Sequence, residues 1–228
     1  ALADWMDYEV PLEWLLDLMN LIRITPNLDW LLLTKRPENW RRRMNSIAVA
    51  PVDVDDAITG HDLTRWSLQD WFEHEIVPEN LWIGTSIEDQ KRADQRIPEL
   101  LKIPAKIRFL SCEPILGQIN LVHPDFGMPS ANGGLHWVIC GGESGPGARP
   151  FNLAWAENLL DQCDAANVPF FMKQIGANPI FFERRTEPSK DKKGGDPKEW
   201  PESLRVRQFP NRKRNNQDQP KRKGAAMK

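Results

Sequence analysis

Apolar residues follow two patterns that alternate along the chain. In one pattern they recur at helical spacing, as Leu12, Leu15, Met19 and Ile22 do. In the other they form short continuous runs that end abruptly at polar residues. The first pattern predicts helices over 11–23, 38–47, 66–76, 91–101 and 153–165, with Pro98 bending or splitting the fourth. The second predicts strands over 28–33, 81–86, 106–110, 135–140 and 168–172.

The order of these elements predicts the fold class. Strands that are continuous apolar runs and alternate with helices are typical of a parallel sheet covered by helices. Trp30, Trp82 and Trp137 each fall near a strand start, and we interpret them as structural. We expect an α/β fold, an incomplete (β/α) barrel or half-barrel with its helices outside. The chain starts abruptly at Ala1, so the first strand–helix portion is expected to be missing and an apolar edge left open.

The net charge of −2 conceals an uneven distribution. From Arg184 onward there are 15 Lys and Arg against 6 Asp and Glu, which leaves 15 and 26 in the first 183 residues. We therefore divide the chain into a barrel portion over 1–183, a packed extension over 184–210 and a disordered basic tail over 211–228. Within the extension, 192–201 is expected to form an ordered loop or short hairpin, whereas 48–64 is expected to be a loop. The tail is either a solvated end or a weak nucleic-acid contact.

The composition of the chain indicates its cellular compartment and whether its Cys and His residues could bind a metal ion. No run approaches the ~18 apolar residues of a membrane span, and no signal segment opens the chain, so a cytoplasmic protein without membrane contact is expected. The three cysteines, Cys112, Cys140 and Cys163, are odd in number and far apart, which argues against disulfides and against zinc or iron–sulfur spacing. The four histidines also show no ligand spacing, and we predict no metal site.

Polar side chains gather where the predicted strands end. In a parallel α/β sheet the carboxyl ends of the strands share one face, and ligands bind there. Any single one of these residues could instead be a helix cap or a loop charge. Five strands that all end in this way predict a common ligand-binding site formed by Lys35, Arg36, Ser86, Glu88, Ser111, Glu113, Gly141, Gly142, Glu143, Ser144, Arg149, Lys173 and Gln174.

The stretch from Gly141 to Arg149 is the strongest element of this prediction. Paired glycines permit close backbone approach, and they are followed by Glu143 and, in the same turn, Arg149. The loop lacks the Gly-Lys-Ser/Thr ending of a P-loop and does not fit Gly-x-Gly-x-x-Gly. Glu143 together with nearby cations could bind a zwitterionic or phosphorylated ligand. The alternative is that Glu143 and Arg149 form only a local loop clamp.

Several of these motifs together resemble an uncharacterised phage and prophage protein family, over roughly residues 1–210. They are Thr34-Lys35-Arg36-Pro37, Ser86-Ile87-Glu88-Asp89-Gln90, Arg96-Ile97-Pro98, Phe109-Leu110-Ser111-Cys112-Glu113-Pro114, Gly141-Gly142-Glu143-Ser144-Gly145 with Arg149-Pro150, Pro169-Phe170-Phe171-Met172-Lys173-Gln174 and Lys193-Gly194-Gly195-Asp196.

This resemblance implies a radical-SAM-type barrel whose cysteine cluster lies upstream of the present first residue. It implies that S-adenosylmethionine and an iron–sulfur cluster belong to the full-length protein and that this chain holds no cofactor. The expected function is that of a portion of a phage-associated enzyme acting on a nucleotide or nucleic acid. The alternative is a non-catalytic phage or defence-related protein that binds a small molecule or nucleotide.

Overall fold

The computed structural model describes residues 4–48, 71, 74, 77–122, 134–181, 184–185 and 191–210. Its main sheet contains five strands, all parallel to their neighbours. They are β1 (Trp30–Thr34), β2 (Leu81–Ser86), β3 (Ile107–Cys112), β4 (Trp137–Gly141) and, after a short β5 (Phe151–Asn152), β6 (Phe170–Gln174). The strand order β1-β2-β3-β4-β6 follows the order in the chain, and the sheet does not close. The predicted open α/β sheet is confirmed.

Four helices whose bounds the structure describes accompany the sheet. They are α1 (Leu12–Ile24), α2 (Trp40–Ala48), α3 (Gln90–Leu101) and α4 (Leu153–Ala166). Side chains cap two of them, since Asp89 accepts a hydrogen bond from the Arg92 amide and Asn152 from the Ala154 amide. Helix α3 continues through Pro98 without the predicted split. Burial of Ile97 and Leu100 on either side of the proline stabilises this turn against the lost hydrogen bond.

The observed bounds differ from the predicted ones in ways that matter for function. Strands β3 and β6 each extend two residues beyond the predicted ends, so Ser111 and Lys173 belong to strands and not to loops. A 3-10 turn, Pro37–Asn39, precedes α2. Within the predicted helix over 66–76 the structure describes only Trp71 and His74, and both are helical. The remaining residues of that helix and the predicted loop beyond Ala48 lie outside the described residues.

The two faces of the sheet have different cores. The larger core lies between the sheet and the helices and contains, for example, Leu81, Ile83 and Leu110. The opposite face carries a smaller cluster in which Trp82, Phe109 and Trp137 are all buried. Successive side chains of a strand point to opposite faces of the sheet, so a strand can contribute side chains to both cores.

The three tryptophans near the strand starts, which we predicted to be structural, pack in or against these two cores. The rings of Trp82 and Trp137 pack edge to face with centroids 6.0 Å apart. Trp30 is only half-buried and packs against the larger core on the other face. Its indole Nε1 donates to Thr25 Oγ1 over 2.9 Å, which ties the start of β1 to the end of α1.

The two edges of the main sheet are unlike each other. Strand β1 forms one edge, where Leu31 is 44% exposed. At the other edge, residues 206–208 run antiparallel to β6, since the Met172 amide donates to Val206 O over 2.8 Å and the Gln208 amide to Phe170 O over 2.9 Å. The C-terminal segment therefore covers the β6 edge, whereas no strand among the described residues pairs with the outer edge of β1.

A second, small sheet was not predicted. In it β5 pairs in parallel with β7 (Pro179–Phe181), which pairs antiparallel with β8 (Arg184–Arg185). These strands are two or three residues long, too short for an apolar period to appear in the sequence.

The segment 191–210 packs on the main sheet. It contains two 3-10 turns, Pro197–Glu199 within the loop or hairpin predicted over 192–201, and Glu202–Leu204 after it. Trp200 is buried, and the Arg207 guanidinium lies 5.0 Å from its ring centre and 5.4 Å from that of Phe171. The predicted basic tail over 211–228 lies outside the described residues. Among the residues described, no helix has the length and apolar character needed to cross a bilayer.

Candidate functional site

An open cavity of about 620 Å³ lies at the carboxyl ends of the main-sheet strands. Its wall combines residues from these strand ends with residues from the segment before and at the start of α1. The lining residues are Asp4, Asp7, Glu9, Val10, Trp14, Leu33, Thr34, Lys35, Arg36, Ser86, Ser111, Glu113 and Lys173. Six of the thirteen residues predicted from the sequence, Lys35, Arg36, Ser86, Ser111, Glu113 and Lys173, are therefore brought together here.

Glu88 links the ends of β1 and β2 to helix α3. Its Oε1 lies 3.0 Å from Lys35 Nζ and its Oε2 lies 3.0 Å from Arg96 Nη1. Arg96 Nη1 also donates to the Ser86 carbonyl over 2.8 Å. Burial alone would raise the pKa of Glu88, but the hydrogen bond and charge of Lys35 and the charge of Arg96 outweigh it, so its pKa is lowered. Glu88 thus stays ionised and fixes Lys35 at the cavity.

Asp4 ties the N-terminal wall of the cavity to the end of β1. Its Oδ1 accepts from Thr34 Oγ1 over 2.6 Å, and its Oδ2 accepts from the Lys35 amide over 2.7 Å. Arg36 reaches the same segment, with Nη1 3.2 Å from Asp4 Oδ2 and Nη2 2.7 Å from Asp7 Oδ2. Arg36 is therefore engaged by two carboxylates of the wall, which assigns it mainly to holding that wall in place.

A second group of polar residues comes from β3 and β6. Glu113 Oε2 accepts from Lys173 Nζ over 3.1 Å and from Ser111 Oγ over 3.3 Å. Ser111 is the register partner of Ser86 on the neighbouring strand. Strand β4 lies between β3 and β6, and its last residue is Gly141, against which the Glu113 carboxylate packs. A side chain at that position would occupy the space that Glu113 uses.

Glu143 and Arg149 form the local clamp that was one of the two alternatives. Arg149 Nε lies 2.8 Å from Glu143 Oε2, Nη2 lies 3.0 Å from Oε1, and the Arg149 amide donates to Oε2 over 2.9 Å. The side-chain and backbone hydrogen bonds from Arg149 lower the pKa of Glu143 to about 2. Neither residue is among those lining the cavity.

The remaining predicted residues lie in the loop beside this clamp. Gly142 and Gln174 hold β4 and β6 together, since the Gly142 amide donates to Gln174 O over 3.0 Å and Gln174 Nε2 donates to Gly142 O over 2.9 Å. A Cβ at Gly142 would lie 2.6 Å from Ile175 O, so the glycine is required by close backbone approach. Ser144 is exposed at the loop surface.

Seven of the residues that line the cavity were not predicted, namely Asp4, Asp7, Glu9, Val10, Trp14, Leu33 and Thr34. Trp14 lines the cavity with 65% of its surface exposed, and Val10 and Leu33 lie on the same wall. The sequence does contain a signal for Trp14, because this large apolar residue lies outside the buried face of α1, which is formed by Leu15, Met19 and Ile22. Asp4 and Asp7 carry no pattern of their own, since their role depends on a contact with the distant Arg36.

The cysteines of the chain do not fit an iron–sulfur cluster. Cys112 and Cys140 are register partners on β3 and β4, and both point into the core with their pKa values raised by burial. Burial also raises the pKa of Cys163 to about 12. A cysteine binds a cluster or a metal ion as the thiolate, which these environments disfavour. In the part of the chain that the structure describes, no three His, Cys, Asp or Glu side chains are arranged to hold a metal ion.

Residues 1–206 match the protein family described as "Protein of unknown function (DUF5131)". No curated protein matches the chain, and no solved structure does.

Proposed function

The chain belongs to the DUF5131 family, and we propose that its strand-end cavity binds a nucleotide, either free or within a nucleic acid. In this proposal the chain is the ligand-binding portion of a phage-associated, radical-SAM-like enzyme.

The observation that carries the proposal is the juxtaposition of an exposed aromatic wall with two lysines. Trp14 is exposed to the cavity. Lys35 and Lys173 reach the cavity from β1 and β6, the two outermost strands of the main sheet, and each has 55% of its side chain exposed. A tryptophan face stacks on any base, and lysine ammonium groups bind phosphate. The hydroxyls of Ser86 and Ser111 lie at the same cavity and can meet a sugar.

The balance of charge limits how many phosphates the ligand carries. The cavity is lined by four carboxylates, those of Asp4, Asp7, Glu9 and Glu113, against three cations, those of Lys35, Arg36 and Lys173. A nucleoside triphosphate would bring several negative charges into a wall with no excess of positive charge. The proposed ligand is therefore a single nucleotide unit with one phosphate.

The enzymatic part of the proposal is supported by the motifs that resemble radical-SAM-type barrel proteins of phages. Because Cys112, Cys140 and Cys163 do not fit a cluster, the proposal assigns cluster binding to cysteines outside these 228 residues. The role proposed for this chain is to hold the base and phosphate of the substrate.

Calorimetric titration with AMP, GMP, CMP and UMP tests the binding function. We expect at least one monophosphate to bind, with its triphosphate binding more weakly. Base stacking is worth about 1–3 kcal/mol, so Trp14→Ala should weaken binding about 10–100-fold. Leu21→Ala is the matched control, because Leu21 is an apolar residue on the same helix, 43% exposed, that does not line the cavity. Equal losses in both variants, or no binding by the wild-type chain, would refute the proposal.

A non-catalytic ligand-binding protein of phage or host defence is the second candidate. It is favoured by the ion pairing of the cavity, since Lys35 and Lys173 each already face a carboxylate, Glu88 and Glu113 respectively. Anaerobic treatment of the complete gene product with iron and sulfide separates the two candidates. An enzyme of the proposed class should acquire the visible charge-transfer absorbance of a cluster, whereas the present chain under the same conditions should not. No absorbance in the complete gene product would favour the binding protein.

A further inference from the structure

We propose that Glu113 accepts a hydrogen bond from a sugar hydroxyl of the bound nucleotide, and that Gly141 leaves the space in which the Glu113 carboxylate is held. This inference rests on the proposed function and specifies the substrate class, a nucleotide that carries sugar hydroxyls.

The Glu113 carboxylate has one oxygen committed to the protein. Its Oε2 accepts from both Lys173 Nζ and Ser111 Oγ. Its Oε1 lies over Gly141, at the point where β4 contributes no side chain to the cavity. With only 17% of its side chain exposed, Glu113 cannot swing freely in solvent, so its Oε1 lone pairs are held at a fixed place on the cavity wall.

Gly141 is required for this position by simple space. A Cβ at residue 141 would lie 2.6 Å from Glu113 Oε1, a separation too short for a carbon and an oxygen that are not bonded. The next nearest atom, Gln174 O, would be 3.4 Å away, which is an ordinary contact. An alanine at this position therefore displaces the end of the Glu113 side chain and leaves the backbone where it is.

The pairing of Glu113 indicates which donor it receives. Lys173 already compensates the carboxylate charge at 3.1 Å, so a second cation would find little net attraction. A neutral hydroxyl needs only an acceptor of fixed direction, and Oε1 provides one. Ser86 and Ser111, paired on neighbouring strands beside Glu113, offer further hydroxyl contacts to the same sugar.

The test compares ribonucleoside monophosphates with their 2′,3′-dideoxy counterparts, which keep the base and the phosphate but lack the two hydroxyls. A hydrogen bond to a charged group contributes enough for an affinity ratio of about 10–100. We expect the wild-type chain to prefer the ribonucleotide by this ratio. Gly141→Ala and Glu113→Ala should both bring the ratio close to one. Gly117→Ala is the matched control and should keep the wild-type ratio, because a Cβ there meets no atom within 4 Å.

The outcomes separate this inference from the function on which it rests. A wild-type chain that binds both forms equally overturns the assignment of Glu113 and leaves nucleotide binding intact. Loss of the ratio in Gly117→Ala, or its retention in both other variants, overturns it as well. Absence of all monophosphate binding by the wild-type chain overturns the proposed function and this inference together. If Gly141→Ala does not fold, Glu113→Ala decides the result, since it removes the acceptor without adding an atom.

Discussion

Arg149 holds the Glu143 carboxylate with both its side chain and its backbone, through Nε and Nη2 at 2.8 and 3.0 Å and its amide at 2.9 Å. This clamp closes the loop that follows β4, the stretch with the strongest concentration of glycine and charge in the sequence. The carboxylate therefore has its acceptors engaged within the loop, and the residues that line the cavity come from other strand ends.

Glu143→Gln should loosen this loop without weakening nucleotide binding. The Arg149 hydrogen bonds lower the pKa of Glu143 to about 2, below its ordinary range, so the clamp is complete above about pH 4.5 and is lost as the pH falls toward 2. We expect lower amide protection factors over residues 143–149 in the variant at pH 7, and equally low protection factors in the wild-type loop near pH 2. A tenfold loss of affinity in Glu143→Gln for the monophosphate that the wild-type chain binds would instead place Glu143 at the ligand.

Glu88→Gln should destabilise the fold, because it leaves Lys35 and Arg96 without a carboxylate partner at a side chain only 14% exposed. We expect a loss of about 1–2 kcal/mol, a drop of several degrees in Tm. Glu79→Gln is the control, since Glu79 pairs with Lys106 at 76% exposure and should change Tm little.

The effect of Glu88→Gln should also depend on pH. The pKa of Glu88 is lowered in the folded protein, so its contribution is present above its unfolded pKa of about 4.3 and is lost as the pH falls through the folded value. The difference in Tm between wild type and variant should therefore shrink at acidic pH. A difference that is constant from pH 7 to pH 3 would show that shape, and not charge, is what the variant removes.

The sequence predicted the sheet because its signal is local. Most main strands contain a continuous apolar run such as Leu81–Ile83, and such runs need no knowledge of their neighbours to be recognised. The shared polar face followed from the parallel arrangement alone, which is why Lys35, Ser111 and Lys173 were placed together correctly. The predicted ends of β3 and β6 fall two residues short, because a polar residue such as Ser111 can still belong to the ladder.

What could not be predicted depends on contacts between distant residues. Nothing local distinguishes Glu113, which faces the cavity, from Glu143, which faces Arg149 six residues away. The wall contributed by Asp4 and Asp7 exists only because Arg36 folds back onto it. The strand-like pairing of 206–208 with β6 was missed because Val206 and Gln208 lie among charged residues with no apolar run.

Gly84→Ala should destabilise the smaller aromatic core that contains Trp82, Phe109 and Trp137. A Cβ at Gly84 would collide with the Phe109 ring, which is itself packed against Trp137 with centroids 6.0 Å apart. Overpacking of a rigid core costs about 1–3 kcal/mol, so thermal unfolding should begin several degrees lower. Gly117→Ala, with no neighbour within 4 Å, is the control. Equal Tm values in the two variants would mean that the Phe109 ring can move aside.

Removal of residues 211–228 should leave nucleotide binding in the cavity unchanged. The segment before the tail runs antiparallel to β6, and Gln208 pairs with Phe170 at the beginning of that strand. The chain therefore leaves the described fold at the amino ends of the strands, whereas Lys35, Glu113 and Lys173 lie at the carboxyl ends.

The tail carries seven Lys and Arg against one Asp, so it should attract a polyanion without sequence preference. We expect the deletion to keep Tm, and the affinity for the monophosphate that the wild-type chain binds, at wild-type values. Binding of a single-stranded oligonucleotide should weaken, with a smaller slope of log K against log salt, since each lost phosphate contact removes about 0.7 from that slope. A large fall in Tm would show that the tail belongs to the fold, and an unchanged salt slope would show that the oligonucleotide is held by the barrel portion alone.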